Sequence, residues 1–560
     1  MSELSCFAFG VGHRGEGVCL EVNLGPRRVL LDCGLASLEG LEAARDRVAR
    51  ADLLLCSHAH RDHARGLLDF HRAFPQVPIY ASEVTAQLLS LNWLDRPDQV
   101  PVHLCQALPW ETPLQLTDDL TVQLWPAGHL PGAAGVLLTY TAPQRTYTIF
   151  YAGDFFISNS RLVDGLPLEA LRGLRPDVLI IEGSAGTARH PHRRQQENQL
   201  AQLIYDRLQA GRSVLLPVPT LGQGQELAML LRSHHQFTGK DVTVWVDATV
   251  AAGCDRYLDL LPYLPSSVQN FARHQPLFWD ERVRPRLRRL APGELPTDEA
   301  PAIVLGDRGA DLSAYGQASH RPWTVLLPEP WADPLAMMAG AEAESSLPWL
   351  QTLAPALATG RIQIEPYLLT THSDAVGTTQ LIHNLRPQHV AFVHGSPSRL
   401  ADLAALEELQ TRYQLHLPSV GKGVDFPIGD RFLQPAAPDP LFEGEITVAD
   451  DSVLLRLPDG LTADPRWRTL ADTGLIQARW QGDNLVIQGL SQRDLWRHVH
   501  PEDRPERPDS CQRCRHWQNG RCRSTASPLY GMAVSPEGHC TAFAHRSQLQ
   551  EADPDDAPLA

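Results

Sequence analysis

"SHAHRDHARG", residues 57–66, places His58, His60, Asp62 and His63 within six positions, directly after the apolar run "ADLLLC" (51–56). A short apolar run bounded by polar residues reads as a buried strand, so the cluster sits where a strand hands over to a loop. In extended backbone, residues two apart point the same way. His58 and His60 therefore share one side, and Asp62 and His63 reach a second point nearby as the chain turns. Imidazole nitrogens and carboxylate oxygens are the donors that zinc or manganese accepts. Four such residues in so short a stretch are poorly explained as an incidental polar loop. The cluster reads as the seed of two metal positions.

Two cations need donors from elsewhere, and other strand ends supply them. "PAGHLPGAAG" (126–135) offers His129 and "FYAGDFF" (150–156) offers Asp154. A carboxylate there can bridge two cations about 3.5 to 4 Å apart. Either residue alone would pass for turn chemistry.

The chain around these motifs has 560 residues, 43% hydrophobic and 20% charged, with a formal charge of −16. That length corresponds to roughly three or four domain-sized units. No apolar run approaches the roughly 20 residues of a membrane span. The start, "MSELSCFAFGVGHRGEGVCLEV", lacks the basic and apolar segments of a secretory leader, so a cytoplasmic protein with no membrane partner is expected. The acidic average excludes wholesale attraction to nucleic acid or anionic lipid but is compatible with a local basic groove. Of the 49 basic residues only Lys240 and Lys422 are lysines, a skew that accompanies abundant Ala, Leu and Pro. Cys6, Cys19, Cys33, Cys56, Cys105 and Cys254 lie in apolar stretches and read as reduced, buried thiols.

Strands are expected at 27–34, 51–57, 120–127, 135–142, 145–154 and 176–183, with helices over "GLLDFHRAFP" and "ASEVTAQLLSLNWL" between them. From about residue 190 the rhythm becomes helix, strand, helix, strand: "RRQQENQLAQLIYDRLQAG", "SVLLPVP", "QGQELAMLLRSHHQF", "DVTVWVDA". That is the pattern of an open, mostly parallel α/β unit. Later strands at "PAIVLGD", "WTVLLPEP", "GRIQIEPYLLTTHSD" and "PQHVAFVHGSPS" deliver polar loops.

In order, "LLDCG", "HAHRDH", "GHLPG" and "YAGDF" resemble the first motifs of the metallo-β-lactamase fold, an αββα sandwich with its metal site along one edge. The resemblance implies that Asp32 orients the site and that His58, His60 and His129 hold one metal. Asp62 and His63 would hold the other, with Asp154 bridging. "LIIEGS", "LLTTHSD" and "FVHGSP" place Glu182, His372 and His394 at later strand ends, with a long α/β insert between the first two. This is similar to the β-CASP branch, whose further motifs are an acidic residue and two histidines. "LGQGQEL" (221–227) resembles that branch's helix start, with Gln223 where arginine is expected. By the resemblance His394 completes the second metal's ligands, and His372, oriented by Glu182, stands near the leaving oxygen.

The expected domains are a first metallo-β-lactamase segment (1–188), a β-CASP insert (189–362), a return segment (363–436) and a small β-rich domain (437–500). A linker with a four-cysteine knuckle (501–546) and a disordered tail (547–560) follow. The implied function is a nuclease with two Zn²⁺, or Mn²⁺, that hydrolyses single-stranded RNA, DNA being the alternative substrate. Asp62, Glu182, Asp32 and His372 would be its catalytic side chains beside the ligands. A small-molecule ester or thioester hydrolase on the same fold and a non-catalytic RNA-binding scaffold stay open, as do a homo-oligomer and an RNA-processing partner. Two basic runs of the insert, "RHPHRR" (189–194) and "RVRPRLRRL" (282–290), read either as phosphate contacts or as solvated faces.

Cys511, Cys514, Cys522 and Cys540 follow a charged, Pro-rich stretch. A segment this small lacks the apolar mass to fold unaided, so four thiolates read as a metal knuckle. Structural zinc is the first choice and an iron–sulfur cluster the alternative.

Overall fold

The computed structural model describes residues 3–13, 16–296, 300–317, 321–329, 349 and 352–429, and beyond them 445–449, 452–456, 476–481, 484–489, 511–518, 521–525 and 544. The chain divides into two compact units, Met1–Pro440 and Leu441–Ala560.

The first unit contains two seven-stranded sheets. One is built from β1 (Leu4–Val11), β2 (Val18–Leu24), β3 (Arg27–Leu31), β4 (Leu53–Leu55), β5 (Ile79–Ser82) and β6 (Gln106–Leu108), with β20 (Gly423–Phe426) pairing on the free side of β1. The other holds β7 (Leu114–Gln115), β8 (Leu120–Pro126), β9 (Ala134–Thr141), β10 (Thr146–Tyr151) and β11 (Val178–Glu182). It continues through β18 (His389–Val393) to β19 (Gln414–His416). Residues alternate along these strands, so one face of each sheet turns to the other. Leu4, Val22 and Leu31 of the first sheet and Leu138, Ile149 and Ile180 of the second share one buried cluster. The opposite faces bury Leu30, Leu54, Phe150 and Ile181 with helix residues such as Leu67, Phe70 and Ile204. The result is an αββα sandwich.

Between β11 and β18 the chain makes a third, six-stranded sheet from β12 (Ser213–Val218), β13 (Thr243–Val246), β14 (Arg286–Arg289), β15 (Ile303–Asp307), β16 (Trp323–Pro328) and β17 (Ile362–Tyr367). All its pairings are parallel, in the order β14-β13-β15-β12-β16-β17. Buried apolar strands such as "SVLLPV" suit a sheet covered on both faces. The helix Arg193–Gln209 leads into β12, and Gln223–Ser233 leads out of it. The expected strands at 51–57 and 145–154 are shorter in the structure, because their last residues leave the ladder to carry site side chains.

In the second unit the described strands are the hairpins Glu445–Ala449/Ser452–Arg456 and Ile476–Gln481/Asn484–Gly489 and a small pair, Trp517–Gln518/Arg521–Cys522. Cys540, the stretch 501–510 and the tail 547–560 lie outside the described residues.

Candidate metal centre

Parallel strands present their carboxyl ends on one edge, and this edge collects the sequence-predicted residues. Asp32 follows β3, and His58 and His60 follow β4. Asp62 and His63 open the one-turn helix Arg61–Ala64. Asp154, Glu182 and His394 come at the ends of β10, β11 and β18, and His129 comes from the loop between β8 and β9. His372 lies in the loop after β17, where the chain returns from the third sheet. Asp32 and His394 both have positive φ, 59° and 49°. Non-glycine residues hold that conformation only where their surroundings impose it.

Three donor sets converge, each within 4.8 Å: His58, His60, His129 and Asp154; Asp62, His63 and His394; and Asp154, Glu182, His372 and His394. Asp154 divides its oxygens between the sides. Oδ2 lies 3.6 Å from His58 Nε2 and 3.8 Å from His129 Nε2, and Oδ1 lies 3.3 Å from His63 Nε2.

The outer hydrogen bonds decide which imidazole nitrogens are free, because a neutral ring has one N–H and one lone pair. Asp32 accepts from His63 Nδ1 at 2.7 Å, from Ser57 Oγ at 2.8 Å and from Tyr151 Oη at 2.6 Å. With its proton given to Asp32, Ser57 Oγ accepts from His58 Nδ1 at 3.1 Å. His129 Nδ1 donates to the Thr371 carbonyl at 2.8 Å, and His60 Nε2 to the Leu221 carbonyl at 3.3 Å. Ser184 Oγ donates to Glu182 Oε2 at 2.5 Å and so accepts from His394 Nδ1 at 2.8 Å. Lone pairs thus remain on Nε2 of His58, His63, His129 and His394 and on Nδ1 of His60. They point inward and at one another: His60 Nδ1 lies 3.2 Å from His58 Nε2 and 3.0 Å from His129 Nε2. Lone pairs at that spacing repel unless a cation lies between them. His63 Nε2 and Asp154 Oδ1 are also buried without a hydrogen-bond partner among the described residues. These donors fit metal ions, and their outer partners do what such partners do in metal sites, fixing tautomer and ring angle.

The electrostatics divide the five rings. Burial holds His58 below the ordinary imidazole range, His60 at about 4 and His129 at about 3, so these rings are neutral, the ligand form. At His63 burial opposes the charge, yet Asp154 and Asp32 outweigh it and push the ring up to about 10. His394 is likewise raised by Asp154, Asp62 and Glu182 against its burial. Asp62 and Asp154 lose water toward the site, which would raise them, yet His394 and His63 hold both well below the usual carboxylate range. This side of the site therefore attracts positive charge.

His372 Nδ1 donates to Glu182 Oε2 at 2.8 Å, with Oε1 at 3.0 Å. Glu182 is buried and His372 is partly open to solvent, 2% against 28% side-chain exposure. Burial lowers His372 and Glu182 raises it by more, so the ring stays above its ordinary value. Glu182, which burial would raise, is held at about 2 chiefly by His372.

Several contributors escape sequence reading. Ser57 and Ser184 flank recognised motifs, so adjacency was their only signal. Leu221 and Thr371 act through main-chain carbonyls that any residue could supply. Arg308, after β15, is half-buried and has Asp62, Asp307 and Tyr367 among its electrostatic neighbours. The basic run 282–290 is an ion-paired face. Arg282 meets Asp280 at 3.0 Å, and Arg284 and Arg286 meet Asp241 at 3.7 and 2.7 Å. Arg288 meets Glu281 at 2.8 Å and Arg289 meets Asp255 at 2.5 Å. Arg193 of "RHPHRR" is buried against Glu197 and Glu226.

In the second unit Cys511, Cys514 and Cys522 are buried thiols. Cys514 N–H donates to the Cys511 carbonyl at 3.0 Å, and Cys522 pairs across the small hairpin with Trp517. Arg515 N–H donates to the Ala544 carbonyl at 2.8 Å.

None of the described helices is long and apolar enough to cross a membrane. Residues 27–216 match the β-lactamase superfamily domain, and residues 361–418 match the Zn-dependent metallo-hydrolase RNA specificity domain. An uncharacterised protein of Synechocystis sp. is 48% identical over 553 residues, 97% of each chain. A ribonuclease of Thermus thermophilus is 26% identical over 74% of this chain and 98% of its own. Integrator complex subunit 11 of Gallus gallus is 21% identical over 75% of this chain and 74% of its own.

Proposed function

The chain belongs to the metallo-β-lactamase superfamily, in its β-CASP nuclease branch, and on that premise we propose that it hydrolyses phosphodiester bonds of single-stranded RNA. The observation that carries this reading is the inward convergence of five imidazole nitrogens around Asp154, beside a hydrogen-bonded His372–Glu182 pair. His58, His60 and His129 would hold one cation, and Asp62, His63 and His394 the other, with Asp154 between. Imidazole and carboxylate donors suit Zn²⁺, with Mn²⁺ as alternative. Two cations there would acidify a water and neutralise charge on the attacked phosphate.

The chain's own groups do the rest. Asp32, through Ser57 and His63, keeps two rings turned inward. His372 carries a proton on the solvent side of the centre and gives it to the departing ribose oxygen, and Glu182 fixes the ring's angle and stabilises its charged form. Leu221 of the insert and Thr371 of the loop that returns from it each hold one of these rings, so the insert and the sandwich would position the site jointly.

The test follows end-labelled single-stranded RNA and its DNA counterpart with Zn²⁺ or Mn²⁺ added, beside His60→Ala and His372→Ala. RNA cutting lost in both variants, with metal content lost only in His60→Ala, is expected; product lengths then give the cleavage mode. RNA left intact at every metal concentration rejects the reading and favours a scaffold or a smaller ester substrate.

For the second unit we propose that Cys511, Cys514 and Cys522, joined by Cys540, hold a structural Zn²⁺. The bond from Arg515 to Ala544 supports it by returning the chain shortly after Cys540 to the first cysteine pair. A colourless protein with one further zinc than the active site binds is expected; charge-transfer bands in the visible would mean an iron–sulfur cluster.

A further inference from the structure

Beside the metal centre, on the helical face of the first sheet, lies an open cavity of about 740 Å³. Its walls are the loop after Gly34, the helices Glu39–Ala43 and Arg45–Val48, the helices carrying Arg61 and Arg72, and the segment around Trp93. Five guanidinium groups line it (Arg45, Arg61, Arg65, Arg72 and Arg96) against four carboxylates, in a chain whose formal charge is −16.

These arginines are not equally committed. Arg72 and Arg96 both turn to Asp69, at 3.3 and 3.2 Å. Arg65 is braced, its Nε donating to the Gly34 carbonyl at 2.7 Å. Arg45 lies over the Phe74 ring at 5.1 Å and donates to the Ala73 carbonyl, so no carboxylate among the described residues neutralises it. Arg61 is exposed; its carbonyl accepts from the Arg65 N–H at 2.9 Å, and its guanidinium forms no ion pair among the described residues. It also stands between His60 and Asp62, and Asp62 is itself 45% exposed at this edge. Arg61 and Arg65, one turn apart, continue the same surface away from the site.

A strand whose scissile phosphate lies at the metals must leave them along some surface. We propose that this groove is that surface: it takes the sugar-phosphate backbone of the substrate strand beyond the cut, with Arg61, Arg65 and Arg45 contacting successive phosphates. The inference rests on the ribonuclease reading and adds to it a track on the sandwich itself, separate from the insert whose run 282–290 is occupied by ion pairs. Guanidinium groups suit it, because they meet phosphate oxygens in pairs and keep their charge at any working pH.

Counterion release gives the test. Each phosphate contact on a single strand contributes about 0.7 to the slope of log affinity against log salt. With His372→Ala as background, so that the probe stays intact, binding of a fluorescent single-stranded RNA is titrated across salt concentrations. Added Arg45→Gln should flatten the slope by about 0.7, and Arg45→Gln with Arg61→Gln by about 1.4. The corresponding lysine variants should keep most of it, at equal metal content. If Arg61→Gln loses metal, Arg45→Gln alone decides. An unchanged slope in the glutamine variants overturns the groove while leaving cleavage by the unsubstituted protein intact. A slope flattened by the glutamine variants in a protein that never cleaves RNA upholds the groove as an RNA-binding surface and rejects the nuclease. A background protein that binds an acidic peptide in preference to RNA overturns the proposal as well.

Discussion

At the scale of single side chains, the centre depends on where each imidazole sends its one N–H. Ser184 shows how narrow the margin is. Its single proton goes to Glu182, which obliges it to accept from His394 and so turns the free nitrogen of His394 toward Asp62. Ser184→Ala should therefore lower affinity for one of the two cations by about 10- to 100-fold, read by competition with a chelator, while the other is retained. His372→Ala should bind both cations normally and lose about 10²- to 10⁴-fold in cleavage rate, the range of a general acid. Loss of metal in that variant would place His372 among the ligands instead.

At the scale of elements, close approach of backbones fixes the ligands' spacing. A Cβ added to Gly34 would lie 1.6 Å from the Asp62 carbonyl oxygen, so only glycine lets the loop after β3 pass under the helix Arg61–Ala64. Gly34→Ala is expected to displace Asp62 and His63 and to halve metal stoichiometry in a direct metal assay. Gly40, inside the helix Glu39–Ala43, meets nothing within 4 Å, so Gly40→Ala should raise stability by about 1 kcal/mol in urea unfolding. Between the sheets Ile180 is fully buried, and Ile180→Ala should cost about 2–5 kcal/mol through lost transfer energy and the cavity left behind.

At the scale of the whole first unit, its closing strands carry a pH dependence. His389 Nε2 donates to the Pro427 carbonyl at 3.1 Å, and its Nδ1 lies 2.9 Å from His416 Nε2, where β18 and β19 meet the chain leading from β20. Burial lowers both rings, and the neighbouring His389 lowers His416 further, to about 4. A depressed histidine binds its proton more readily in the unfolded chain. The stability these two rings contribute is therefore fully present above about pH 6.5 and is lost as pH drops toward 4. Melting temperature measured from pH 7 to pH 4.5 should decline, and His416→Gln should flatten that decline.

The sandwich was legible in the sequence, and with it the candidate metal edge, because most of the candidate donors follow strand ends, which are marked locally by apolar runs, glycine and histidine. His58, His60, Asp62 and His63 declare themselves by spacing alone, since their geometry is short-range. His372 and His394 are far from them in the chain and needed the order of the motifs. The three-dimensional arrangement alone decided which nitrogen of each ring faces inward, because Ser184, Leu221 and Thr371 act through a hydroxyl and two carbonyls that carry no sequence signature. It also decided the fate of the arginines. A run such as 282–290 looks the same in sequence whether its charges are spent on Asp241, Glu281 and Asp255 or left for phosphate, and Arg61 looks no different from its neighbours until the helices around it enclose a groove. Charge is written in the sequence, but whether a charge has a partner depends on distances that only folding sets.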